Sequence, residues 1–184
     1  MHISYVIHGG DDLRQYIRTY YTLDNILKKK SLEEIKNSYI LFVGGSKKVI
    51  DKFSSIFEKL GIKYSYDNRP RNTDDDIRSL LEYLLVKKNT IGEVIVVTDE
   101  VHFPRVISLY KQPIEYFIET NSGFDLEKLE RYREYSVESL IESKGIKIRY
   151  LGVPYYISNP RKILFDMLHE VLAFLKRLYL SIRY

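Results

Sequence analysis

The sequence predicts an α/β protein, a Rossmann-like three-layer sandwich with a mostly parallel sheet and a long C-terminal helix. Three observations carry the prediction. Two apolar runs, Ile3 to Ile7 and Tyr39 to Val43, each end in a glycine pair and lead into residues with helical apolar spacing. A third run, Val94 to Val97, is an unbroken β-branched stretch, the pattern of a strand buried on both faces of a parallel sheet. A repeated strand, turn and helix unit is hard to obtain from an all-α or all-β chain and argues for a doubly wound sheet.

The first strand ends in His8, Gly9, Gly10, Asp11 and Asp12. The two acids suit the positive end of a helix from about Leu13 to Lys29, whose apolar side reads as Tyr16, Ile17, Tyr20, Leu23 and Leu27, with Arg14 and Arg18 one turn apart. The second strand ends in Gly44, Gly45 and Ser46, followed by Lys47 and Lys48. A helix then places Ile50, Phe53, Ile56, Phe57 and Leu60 at core spacing and stops at Gly61. Ile62 to Tyr66 is a short third strand. Asn72 and Thr73 open the next helix, with Asp74, Asp75 and Asp76 in its first turn, and Thr73 with Asp76 resembles a capping box with a shorter acid.

After Val97 the polar group Thr98, Asp99, Glu100 and His102 leads into a helix carrying Val106, Ile107, Leu109 and Tyr110. Ile114 to Ile118 reads as a fifth strand, and Ile146 to Leu151 as a sixth. Between them the charged stretch from Gly123 to Lys144, anchored by Leu126, Leu129, Val137, Leu140 and Ile141, reads as a helical excursion of one helix or two on the sheet's flank. Asn159-Pro160 starts the terminal helix, whose stripe from Ile163 to Ile182 is foremost a face laid on the sheet; a homodimer contact comes second and a membrane-surface helix third.

A chain of 184 residues fits one domain, and 45% hydrophobic with 29% charged residues places it among globular proteins. The net charge of +4 arises from 29 basic and 25 acidic residues that are interleaved rather than gathered into a stripe, which disfavours nucleic acid as a partner. The absence of cysteine excludes disulfides, thiolate nucleophiles and cysteine metal sites. The amino terminus lacks the basic and long apolar regions of a leader, so the reading is a soluble, cytoplasmic protein with no membrane span.

In open α/β sheets ligands sit beyond the carboxyl ends of the strands. The candidate ligand-binding set is therefore Gly9, Gly10, Gly44, Gly45, Ser46, Arg71, Asn72, Thr73, Asp76, Thr98, Asp99 and Arg105, with His102 as the candidate acid or base. The glycine pairs suit a phosphate or carboxylate cradle at helix starts; the plainer reading is turn geometry. Arg69 and Arg71 have the fork to hold an anion. For His102 the plainer reading is a polar residue in a helix's first turn, solvated or hydrogen-bonded to Asp99. No metal site is expected, because the adjacent carboxylates Asp74, Asp75 and Asp76 point in different directions on a helix.

Taken in order, the strand with Gly-Gly-Asp, the strand ending VGGS, RNTDDDI and VVTDEVHFPRV resemble the domain-of-unknown-function family that includes the SanA, YdcF and ElyC-like proteins, over roughly Ile3 to Lys111. The family pattern has Ser-Gly-Gly, Asn-Thr-x-Glu-Asn and Val-Thr-Ser-x-x-His-x-x-Arg. Asp75, Asp76 and Asp99 depart from it, as does His169 in place of an arginine before Glu170. The resemblance implies a polar pocket lined by Gly9, Gly44, Gly45, Asn72, Thr73, Thr98, His102 and Arg105, and a nucleotide-like or anionic small-molecule ligand, with S-adenosylmethionine one candidate. The alternative is a non-catalytic scaffold or regulatory protein that uses its charged excursion or terminal helix to bind a partner or self-associate.

Overall fold

The structure, a computed structural model, describes residues 2–87, 90–119 and 123–154. Five strands form one all-parallel sheet: β1 (His2–His8), β2 (Ser38–Val43), β3 (Lys63–Asp67), β4 (Ile91–Asp99) and β5 (Lys147–Val153), in the spatial order β3-β2-β1-β4-β5. This is a Rossmann-like α/β fold. The chain runs outward from β1 through β2 to β3 and then crosses back to β4 on the other side of β1. The strand order therefore reverses between β1 and β4, the place where an open sheet leaves a crevice at its carboxyl edge.

Helices α1 (Asp12–Lys29), α2 (Leu32–Lys36) and α3 (Lys47–Leu60) cover one face, packing Leu23, Ile26, Ile35, Phe53 and Phe57 on Tyr5, Ile7, Ile40, Phe42, Ile95 and Val97. The other face receives α4 (Thr73–Val86), α5 (Phe103–Tyr110), α6 (Ile114–Glu119) and α7 (Val137–Ser143), which pack on Val6, Leu41, Val43, Val94 and Val96. Alternation along β1 and β4 thus feeds two cores, which is why their central runs, Tyr5 to Ile7 and Val94 to Val97, are continuously apolar. An aromatic chain reinforces the first core, with ring centroids 5.1 Å apart for Phe57–Tyr64 and 6.1 Å for Phe42–Phe57. Gly61 ends α3 in the left-handed region (φ 71°), and Ile62 N–H donates to Phe57 O at 2.9 Å.

Several expectations are corrected. Ile114 to Ile118 is not a strand but lies in α6: Ile114 and Phe117, three apart, turn inward while Glu115 faces solvent. A five-residue apolar run carries no periodicity long enough to separate strand from helix. On α1 the inward residues are Gln15, Arg18, Thr19, Thr22, Leu23 and Ile26, whereas Tyr16, Tyr20 and Leu27 are 43%, 55% and 50% exposed. The threonines tolerate burial because their hydroxyls donate to carbonyls one turn back, Thr19 to Gln15 at 2.7 Å and Thr22 to Arg18 at 2.8 Å. Helix α4 is capped by Asn72, which accepts from Asp75 N–H at 3.0 Å, so Thr73 is not the cap. Ile56 is 41% exposed, at the edge of the buried stripe that Val49, Ile50, Phe53 and Phe57 form along α3.

The excursion from 123 to 144 contains a 3-10 turn (Glu127–Tyr132) and α7. Its anchors Leu126, Leu129, Val137, Leu140 and Ile141 are all buried in the second core together with Phe124. The terminal helix expected from Asn159 lies outside the described residues. No helix among the described residues is long and apolar enough to cross a membrane.

The exposure of Ile56 and the burial of Phe57 make a contrast for chemical denaturation. Phe57→Ala is expected to cost about 3–5 kcal/mol through the cavity it leaves, and Ile56→Ala less than about 1 kcal/mol.

Candidate functional site

The carboxyl edge of the sheet is shaped by backbone contacts between turns. A Cβ on Gly9 would stand 2.9 Å from Gly45 N and 3.0 Å from Val43 O, so the turn after β1 touches the turn after β2 only because residue 9 has no side chain. Gly44 (φ 74°) and Gly45 (φ 84°) hold left-handed conformations that let the chain leave β2 and enter α3. A Cβ on Gly44 would lie 3.1 Å from Asp76 Oδ1 at the start of α4. The sequence-predicted Gly9, Gly44, Gly45 and Asp76 are therefore brought together. Gly10 packs under Arg14 and Arg18.

Beside them, the switch point between β1 and β4 is filled by a side chain absent from the predicted set. Arg18, fully buried on α1, donates through Nε to Asp99 Oδ1 at 2.8 Å and through Nη2 to Asp99 Oδ2 at 2.6 Å. Its Nη1 donates to His8 O at 2.6 Å and also to Gly9 O. One guanidinium thus ties the ends of both strands together, and Asp99 is a buried counter-ion rather than an open ligand contact. Arg18 was legible only as a charge one turn from Arg14; its inward direction depends on α1 placing a polar face on the sheet.

His102 closes a 3-10 turn (Glu100–His102) that leads into α5. It is nearly buried, and its Nε2 receives a hydrogen bond from Arg14 Nη1 at 2.9 Å. Since a guanidinium can only donate, Nε2 is the acceptor and the ring proton sits on Nδ1. The expected bond to Asp99 is not made: Nε2 lies 3.8 Å from Asp99 Oδ2, whose lone pairs face Arg18. Thr98, buried in β4, precedes this turn. One turn along α5 from His102, Arg105 Nη2 donates to Thr73 Oγ1 at 2.9 Å, joining α5 to the start of α4.

Behind this wall runs a buried chain. His8 Nδ1 is 3.0 Å from Asp76 Oδ2, and His8 Nε2 is 3.3 Å from the Tyr110 hydroxyl. Burial pushes the Asp76 carboxyl above its ordinary range, against the opposing pull of His8, Arg18 and the Gly9 N–H. Burial likewise raises the Tyr110 phenol well above its ordinary value, with Tyr150 and Asp76 adding to the shift.

Asp74, Asp75 and Arg69 are engaged separately. Asp75 pairs with Arg78 at 2.6 Å, and Asp74 accepts from the Tyr116 hydroxyl at 2.7 Å. The fork of Arg69 grips Asp67 and Glu82 at 2.7 and 2.6 Å. Arg71 is exposed and gives its backbone N–H to Asp75 at 3.0 Å. Among the described residues no group of three or more His, Asp or Glu side chains could hold a metal ion. Far from this edge, a cleft of about 650 Å³ lined by Glu93, Glu142, Lys147 and Arg149 opens at the amino end of β4 and β5, where Arg149 pairs with Glu93.

Comparison of the chain with family models, with curated proteins and with solved structures finds no match, so the resemblance read from its motifs stands as an expectation.

Asp76 sets a pH signature. Its folded pKa is raised, so the native state holds a proton that the unfolded chain releases above the ordinary carboxyl value of about 3.8. Its contribution to stability is then fullest below that value and declines as pH rises toward the raised folded pKa. The unfolding free energy of Asp76→Asn relative to wild type is therefore expected to improve as pH rises from 4 toward neutrality. A difference independent of pH would show that burial does not hold the proton.

Proposed function

We propose that the protein binds an anionic, nucleotide-like small molecule at the carboxyl edge of the sheet, with His102 serving as proton acceptor or donor toward it. The observation that carries this reading is the β1/β4 reversal, the position at which open α/β sheets take ligands: Gly9 follows β1, Thr98 and His102 lie at the end of β4, and Arg105 is bonded to Thr73 at the start of α4. Arg14 occupies the Nε2 lone pair of His102, so the ring takes a proton from a ligand once that ligand draws the Arg14 guanidinium away. The motif resemblance points the same way and makes S-adenosylmethionine one ligand to try.

Thermal denaturation with S-adenosylmethionine, nucleoside phosphates and inorganic anions tests the reading. A ligand present at a hundred times its Kd is expected to stabilise the fold by about 2.7 kcal/mol, with the gain reduced in His102→Gln and Thr73→Ala. If no compound raises Tm, the reading fails.

A second reading, self-association or partner binding without catalysis, is favoured by one surface. Leu13, Tyr16, Tyr20 and Leu27 are all exposed and follow helical spacing along the outer side of α1. Sedimentation should then give a mass that rises with concentration and returns to that of one chain in Tyr20→Lys. A single-chain mass at every concentration removes self-association.

A further inference from the structure

The helices that start at the carboxyl edge differ in how their first turns are satisfied. Helix α1 is capped by Asp11, which accepts from Arg14 N–H at 3.0 Å, and carries Asp12 in its first turn. Helix α4 is capped by Asn72 and followed by Asp74, Asp75 and Asp76. Both ends are already matched to the positive pole of their helices. Helix α3 is built the opposite way. Its N-cap residue Ser46 makes no side-chain capping bond, its first turn holds no acid, and Lys47 and Lys48 stand exposed where positive charge is unfavourable.

A second, separate observation lies on α1. Gln15 is 1% exposed, and its carboxamide rests across the Gly45-Ser46 turn. Ser46 N–H donates to its Oε1, which fixes the orientation of the amide. The other end, Nε2, lies 3.1 Å from where a Cβ on Gly45 would be, and it has no hydrogen-bond partner. An unmatched buried amide donor is costly, and here it stands at a helix start that already has an excess of donors.

We propose that the start of α3 is an oxyanion subsite that takes the phosphoryl group of a phosphorylated small molecule. The backbone N–H groups of Lys47 and Lys48, which precede the first intrahelical acceptor, point out of the helix end. With the Ser46 hydroxyl and Gln15 Nε2 they offer donors to an oxyanion, and the two exposed lysines supply charge that matches a phosphate dianion better than a singly charged carboxylate. Gly45 is exposed, so the turn is reached from solvent. The subsite adjoins the turn after β1 through Gly9 and Gly45. The inference rests on ligand binding at this edge of the sheet and narrows the ligand to one bearing phosphate.

The test is an NMR titration of the full ¹⁵N-labelled chain with inorganic phosphate. Saturable shifts are expected in the backbone amides of Ser46 to Val49 and in the Gln15 side-chain amide. Gln15→Leu should weaken binding, and the exposed pair Lys47→Glu with Lys48→Glu, which leaves the core untouched, should weaken it by about tenfold or more through loss of charge-assisted contacts. Phosphate shifts confined to the His102 and Arg105 turn, or unchanged affinity in the double lysine variant, overturn the subsite. Saturable binding of S-adenosylmethionine, which has no phosphate, without any response to phosphate removes the subsite and leaves the broader reading intact. No saturable binding of either compound removes both.

Discussion

The carboxyl edge of this sheet depends on the buried ion pair between Arg18 and Asp99. Strands β1 and β4 run side by side, but their connections leave in opposite directions, so nothing in the sheet ladder itself holds their exits together. Arg18 supplies that tie. It spends Nε, Nη1 and Nη2 on the Asp99 carboxylate and the carbonyls of His8 and Gly9. Such a pair contributes little net stability compared with apolar packing, yet removing one partner strands a buried charge and costs about 3–5 kcal/mol. Its value lies in the single geometry it allows.

Much of the surrounding arrangement follows from that pair. Burying Arg18 obliges α1 to turn a polar face to the sheet, and the neighbouring Gln15, Thr19 and Thr22 are buried with it. The apolar Tyr16, Tyr20 and Leu27 are displaced to the outside as a result. With Asp99 engaged by Arg18, His102 turns to Arg14 instead. The chain from Tyr110 through His8 to Asp76 does the same on the other face, fixing α5 and α4 to the end of β1. The two networks meet at residues 8 and 9, where a side chain and the backbone carbonyls serve opposite faces.

The resulting edge is electrically segregated. Carboxylates at the starts of α1 and α4 are matched by their own helix ends or by Arg78, His8 and Tyr116. Positive charge at the start of α3 is left facing outward.

The strands β1, β2 and β4, the glycine turns and most helices were legible because apolar periodicity and turn chemistry are local properties of the chain. Gly44, Gly45 and Gly61 were readable for the same reason: a left-handed backbone position needs glycine wherever it occurs. Thr73, Thr98, His102 and Arg105 could be read as edge residues, since each stands at a strand's end or in a helix's first turns. What sequence could not decide was direction and partnership. Ile114 to Ile118 is a helix because residues 114 and 117 find a core beneath them, and α1 buries Arg18 in place of its tyrosines because Asp99, 81 positions away, requires it. The sequence by itself determined most of the elements in order, apart from α2 and α6, and the kinds of residue at the sheet's edge. Tertiary structure alone chose which charges neutralise each other and which remain open, because the energy of a buried charge is set by neighbours that the chain supplies from distant turns.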